Sequence, residues 1–153
     1  MGDHVEQKGS LVDNLKTRFD FSHTKPISND EIQQIESIVN NEILTNKVTT
    51  TEMMSIDKAK ESGALMLFGE KYDSEVRVLN IGNSIELCGG THVSNTGDIG
   101  LFKIYSETGV ASGVRRIEGV TGLNLIKFLN DQEEILTKVS KNLNTKPSEI
   151  PTK

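Results

Sequence analysis

Apolar positions change their period along this chain, and each change marks an element. Gly9-Ser10 reads as a turn, after which Leu15, Thr17, Phe19 and Phe21 alternate with Lys16, Arg18 and Asp20. That two-residue period belongs to a strand with one buried face, and His23 continues the apolar side as a structural histidine. Pro26 punctuates the chain, and Ser28-Asn29-Asp30-Glu31 has the spacing of a capping box. Ile32, Ile35, Val39 and Ile43 then share one stripe opposite Gln33, Glu36, Asn40 and Asn41, which predicts a helix with one face on a sheet, ending at Asn46-Lys47. Residues 48–51 are β-branched enough for a strand, and Ser55 can cap a short helix that stops near Gly63.

Further on, residues 76–81 and 84–88 read as strands joined by Gly82-Asn83, a hairpin signal. Alternation puts Ile85 and Leu87 on one face of the second strand and Glu86 and Cys88 on the other. A loop at 94–98 leads into a strand near 99–106. Thr108-Gly109 with Ser112-Gly113 makes a turn, and residues 114–120 form another strand. From Gly122 the period becomes helical, with Leu125, Leu129, Gln132, Leu136, Val139 and Leu143 forming a seam broken by one polar residue. Such a helix needs a partner, whether its own domain, a second copy or a neighbouring segment. The predicted fold class is α+β, a mostly antiparallel sheet covered by helices, with a C-terminal amphipathic helix.

Composition narrows the function classes. The 153 residues suit one domain, and with 35% apolar residues, 5% aromatics and no Trp the core must come from Ile, Leu and Val. A net charge of −5 argues against gripping nucleic acid over the whole surface, while leaving room for a local basic groove. One cysteine forms no internal disulfide, which fits a reducing compartment. No apolar run approaches a membrane span and the polar start lacks a signal-peptide core, so a cytoplasmic protein without membrane contact is expected. The turns at Gly109 and Gly113 lack nucleotide-binding spacing.

Candidate chemistry gathers at Glu86-Leu87-Cys88-Gly89-Gly90-Thr91-His92-Val93. A thiol and an imidazole four residues apart across a glycine turn can converge on one point, as half of a zinc site requires. Two other readings stand beside it: a buried thiol with a surface histidine, and a Cys88 nucleophile assisted by His92. Glu86, on the face of Cys88, is a candidate outer partner or a plain exposed carboxylate. A complete four-ligand site from this chain alone would have to enlist His4 and His23 as well.

The run from Glu86 through Gly97-Asp98-Ile99-Gly100, then Phe102-Lys103-Ile104 and Ser112-Gly113-Val114-Arg115-Arg116-Ile117-Glu118, resembles the editing domain of alanyl-tRNA synthetase. The likeness includes Gly2-Asp3-His4-Val5-Glu6-Gln7-Lys8-Gly9-Ser10-Leu11-Val12, Arg18-Phe19-Asp20-Phe21-Ser22-His23 and Leu67-Phe68-Gly69-Glu70-Lys71-Tyr72. It implies hydrolysis of the ester of alanine tRNA mischarged with serine or glycine, with zinc as cofactor and Cys88 and His92 as metal ligands. It also implies Gln7 as a pocket residue in the catalytic set with Cys88 and His92. Lys8, Lys103, Arg115 and Arg116 are the candidates for tRNA contact, although Arg115 and Arg116 point to opposite faces of a strand. In the family a His-x-x-x-His pair completes the zinc site from a segment N-terminal to Gly2, so the chain is expected to be an excised piece of a longer, ATP-binding ligase. Residues 1–121 would then be the editing core, and residues 122–153 a helical segment leading to the remaining domains or mediating self-association. The alternative expectation is a catalytically silent tRNA-binding or structural fragment.

Overall fold

The computed structural model describes residues 2, 4–66 and 71–152, so Asp3 and residues 67–70 of the motifs above lie outside the described residues. Seven strands form two antiparallel sheets among these residues. The four-stranded sheet has the order β1 (Gln7–Val12), β2 (Thr17–Ser22), β7 (Val114–Thr121), β6 (Phe102–Ala111); the three-stranded one runs β3 (Thr50–Ser55), β4 (Glu75–Ile81), β5 (Ser84–Leu87). Helices α1 (Asn29–Leu44), α2 (Ile56–Glu61) and α3 (Gly122–Asn142) complete the α+β fold expected from the pattern. No helix of the described residues is long and apolar enough to cross a membrane.

Local chemistry explains several element ends. Ser28 caps α1, accepting from the Glu31 amide while the Glu31 carboxylate accepts from the Ser28 amide, the reciprocal capping box. Ser55 caps α2 through the Lys58 amide. The Gly82-Asn83 turn joins β4 to β5, and Ile85 and Leu87 pack with Met54 and Ile56 on a core of Ala59, Ala64, Val76 and Val78. The second core lies under α1, where Ile32, Ile35, Val39 and Ile43 meet Phe102 and Ile104.

Several expectations are corrected. Gly9-Ser10 is not a turn but part of β1, with a register shift between Gln7 and Gly9. A Cβ at Gly9 would come within 3.3 Å of Asp20 Oδ2, so the position stays bare to admit that carboxylate. The turn lies at Asp13 instead, whose Oδ1 accepts from the Leu15 and Lys16 amides, and Leu15 is exposed there rather than on a strand face. Thr108 and Gly109 sit inside β6, and a Cβ at Gly109 would meet Arg115 Nη1 at 2.8 Å. The first strand of the smaller sheet begins at Thr50 rather than at Val48, which makes only an isolated bridge to Asn95. A single 3-10 turn, Thr96–Ile99, precedes β6, which starts at Phe102 rather than near residue 99.

The most consequential correction concerns the polar stripe of α1. Glu36 is 9% exposed, and its Oε1 accepts from the Ile104 amide at 2.8 Å and from Lys103 Nζ at 2.9 Å. Asn40 both donates to the Phe102 carbonyl at 2.9 Å and accepts from the Phe102 amide at 2.7 Å. β6 is the outer strand of its sheet, and α1 supplies the partners that a fifth strand would have given. Along α3, by contrast, only Leu125 of the predicted apolar seam is buried; Leu129, Leu136 and Leu143 are exposed.

Replacing Asn40 by Ala leaves both polar groups of Phe102 without their partner and is expected to lower stability by about 2 kcal/mol. Asn41→Ala, on the exposed side of the same turn, is expected to change it by no more than about 0.5 kcal/mol. Urea unfolding of both variants checks the contrast, and equal midpoints would remove the edge-closing role.

Candidate functional site

Cys88 is the first residue beyond the β4–β5 ladder, whose last pair is Val78 with Leu87. Its amide still donates to the Arg77 carbonyl at 3.2 Å, so the strand end is held before Gly89-Gly90 turns the chain. A Cβ at Gly90 would lie 3.8 Å from Cys88 Sγ and 4.0 Å from His92 Nε2. Thiol and imidazole therefore both stand within about 4 Å of one point beside Gly90, at ordinary contact distance from it. The far end of the loop is fixed by Thr96, 3% exposed, whose hydroxyl donates to the Glu42 and Ile43 carbonyls at the end of α1. Ser94 and Thr96 add backbone bonds to Thr49 and Lys47.

His92 opens into a cavity of about 470 Å³ where the two sheets meet. Val12, Leu15, Ile81, Val93 and Ile99 give it apolar walls. Asp13, Lys16, Asp98 and Asn124 give it a polar rim, and Asn124 Nδ2 donates to the Asn14 carbonyl at 2.8 Å across it. Lys16 pairs with Glu118, which raises the Lys16 pKa chiefly through their hydrogen bond. A second cavity of about 530 Å³, lined by Val39, Ile43, Leu65, Ile85 and Phe102, shares Ile81, Ile99 and Thr121 with the first.

The donor chemistry of Cys88 and His92, one thiol and one imidazole, suits zinc. Among the described residues no third His, Cys, Asp or Glu joins them to make a metal-binding group. His4 and His23 are occupied with each other: His4 Nε2 and His23 Nδ1 share a hydrogen bond of 2.8 Å, and the rings stack at 5.1 Å. His23 also stays on the aromatic face of β2, beside Phe21. Gln7 lies at the start of β1, with Val12 at the cavity end of the same strand, roughly 16 Å apart at the usual rise per residue. Gln7 Nε2 donates to Ser10 Oγ at 3.3 Å, and the residue does not line the His92 cavity.

Each basic candidate for tRNA contact has an acidic neighbour. Lys8 pairs with Glu6 at 2.9 Å and Lys103 with Glu36 at 2.8 Å. Arg115 grips both oxygens of Glu107, and Arg116 both oxygens of Asp20, in bidentate pairs of 2.6 and 2.7 Å. The hydrogen bond from Arg116 holds the Asp20 carboxyl below the usual carboxylate range, and the reciprocal bonds raise both arginines further. Arg77, not singled out from the sequence, is the residue that touches the Cys88 loop: its Nη1 donates to the Cys88 carbonyl at 2.7 Å and the Gly90 carbonyl at 2.8 Å. A lone arginine on a strand carries no local signal, since its partners are backbone carbonyls 11 and 13 residues on.

Residues 76–118 match the family described as the threonyl and alanyl tRNA synthetase second additional domain. Over 150 residues, 98% of its length, the chain is 60% identical to an alanine–tRNA ligase of Aromatoleum aromaticum. It is 57% identical over 149 residues to that of Nitrosospira multiformis and 62% identical over 136 residues to that of Methylobacillus flagellatus. The chain spans 17% of the length of the first two relatives and 16% of the third.

The Asp20–Arg116 pair sets an acid-side dependence of stability. A carboxyl depressed in the folded state contributes above its unfolded value, near pH 4, and the contribution disappears as pH falls through the lower folded value. Arg116→Met is expected to lower the urea midpoint at neutral pH and to flatten its decline below about pH 4. Parallel declines for variant and parent would rule the pair out as a source of that dependence.

Proposed function

We propose, because this chain belongs to the second additional domains of threonyl and alanyl tRNA synthetases in their alanyl form, that it hydrolyses the ester joining serine or glycine to the terminal ribose of alanine tRNA. The observation that supports this reading is that Cys88 and His92 stand together beside Gly90, with His92 lining a cavity large enough for a small amino-acyl group. The chemical need for such a step is plain. A synthetic pocket for alanine cannot exclude smaller glycine by size, and the extra hydroxyl of serine gives limited discrimination, so a second, hydrolytic site restores accuracy.

In that reaction water adds to the ester carbonyl carbon, the bond to the ribose oxygen breaks, and this oxygen takes a proton, leaving a free amino acid and a tRNA hydroxyl. Cys88 and His92 would hold zinc, with further ligands coming from outside the described residues. Bound there, zinc supplies either an activated water or a Lewis acid that orients the substrate's amino and ester groups. The apolar walls of Ile81, Val93 and Ile99 exclude bulk water around the acyl group, and the rim of Asp13, Asp98 and Asn124 offers hydrogen-bond acceptors to an ammonium. Gln7, which does not line this cavity, is assigned as a neutral hydrogen-bonding group toward the part of the substrate or water lying along the far end of β1. Contact with tRNA through Lys8, Lys103, Arg115 and Arg116 must compete with their internal ion pairs, so binding is modest and falls steeply with salt. Residues 1–121 act as the editing core, and residues 122–153 lead toward the remaining domains of the synthetase.

The donor count favours one second reading. With only two metal ligands gathered among the described residues, the chain on its own would be a catalytically silent tRNA-binding or structural piece.

Hydrolysis of serine-charged alanine tRNA by the 153-residue chain separates the two readings. The expected result for the first is ester loss that drops about a hundredfold in Cys88→Ala and in His92→Ala. No loss above the buffer rate supports the silent reading, and loss that persists in both variants removes the site assignment.

A further inference from the structure

Gly89 and Gly90 contribute no side chains, so the turn between Cys88 and His92 has no packing of its own to hold it. Glycine also has the largest freedom to lose on ordering. The β4–β5 ladder has ended by this point, and Gly89 through His92 are exposed. Yet the thiol and the imidazole both stand within about 4 Å of one point beside Gly90. Something other than the ladder must fix the angle between them.

We infer that Arg77 is the positioning residue for the Cys88–His92 pair. Directly opposite the end of the ladder, its main-chain carbonyl accepts from the Cys88 amide at 3.2 Å, while its guanidinium reaches over the strand end to the carbonyls of Cys88 and Gly90 at 2.7 and 2.8 Å. One nitrogen thus ties two carbonyls that flank Gly89, and a third bond ties the amide at the turn's start. These restraints hold residues 88–90, the start of the segment whose conformation decides how Sγ stands relative to the His92 ring. A charged donor suits the task because its hydrogen bonds are stronger than neutral ones and persist at a half-buried strand end. The side chain itself touches neither substrate nor metal donor atoms; it acts through the backbone of the turn. Lysine is not its equivalent, since its ammonium can also donate twice from one nitrogen but lacks the planar guanidinium that fixes where the two N–H bonds of Nη1 point.

The catalytic part of this inference rests on the hydrolytic reading above, whereas the ordering of the turn does not. Backbone ¹⁵N relaxation on the 153-residue chain therefore comes first. Arg77→Gln is expected to lower the order parameters of Gly89, Gly90, Thr91 and His92 from the rigid level of about 0.85 toward 0.6 or below, with Val78 and Ile85 unchanged. Arg77→Lys should fall between the two, and serves as the test variant if Arg77→Gln fails to fold. In ester hydrolysis the same substitution is expected to reduce kcat about tenfold at unchanged KM, with partial rescue by lysine. Unaltered order parameters across residues 89–92 overturn the inference, whatever the activity does. A mobile turn in Arg77→Gln together with ester loss that ignores Cys88→Ala keeps the positioning role and removes the hydrolytic reading.

Discussion

The structure hangs on the closing of one sheet edge by one helix. Glu36 and Asn40 stand four residues apart on α1, a rise of about 6 Å, and Ile104 and Phe102 stand two residues apart on β6, a rise of about 6.6 Å. The two spacings nearly coincide, so side chains one helical turn apart meet backbone groups on the same edge of the strand. This register holds α1 along the outer strand, and the stripe of Ile32, Ile35, Val39 and Ile43 then closes over Phe102 and Ile104. Polar and apolar faces of the helix work on the same sheet.

From there the site inherits its position. Once α1 is set along β6, its last turn presents the Glu42 and Ile43 carbonyls to Thr96, which pins the end of the loop that carries His92. The other end of that loop belongs to the smaller sheet, through Arg77 on β4. Cys88 and His92 therefore sit between two independently packed cores, and the cavity beside them is the seam of those cores. A site at such a seam is rigid at its anchors and open between them.

The charges follow the same division. Lys103, Arg115 and Arg116 spend their donors on Glu36, Glu107 and Asp20 and tie strands or helix together. Arg77 differs in aiming at main-chain carbonyls, which leaves its charge uncompensated by a carboxylate in that contact. With a net charge of −5 over the chain, the sites where a polyanion could settle are set by local geometry and not by the overall balance.

Much of this was legible in the order of residues. The capping box at Ser28, the Gly82-Asn83 hairpin, the cap at Ser55 and the alternation that puts Cys88 opposite the core face of β5 are all short-range signals, and each was found where the pattern placed it. The likeness of the stretch around Cys88 and His92 to the synthetase domain was legible in the same way. Other features escaped. Glu36 and Asn40 looked like solvent-facing residues, Gly9 and Gly109 looked like turns, and Arg77 looked like nothing at all. In each case the deciding partner lies on another element: the carboxylate of Asp20, the guanidinium of Arg115, the backbone of Phe102 and Ile104, the carbonyls beyond a hairpin. Periodicity and capping act over three or four residues, and the sequence determined what they govern: the elements, their faces and the donor atoms available. Which polar group meets which backbone group depends on how separate elements pack, and that only the tertiary structure decided, because burial makes each such group find a partner wherever the fold brings one within reach.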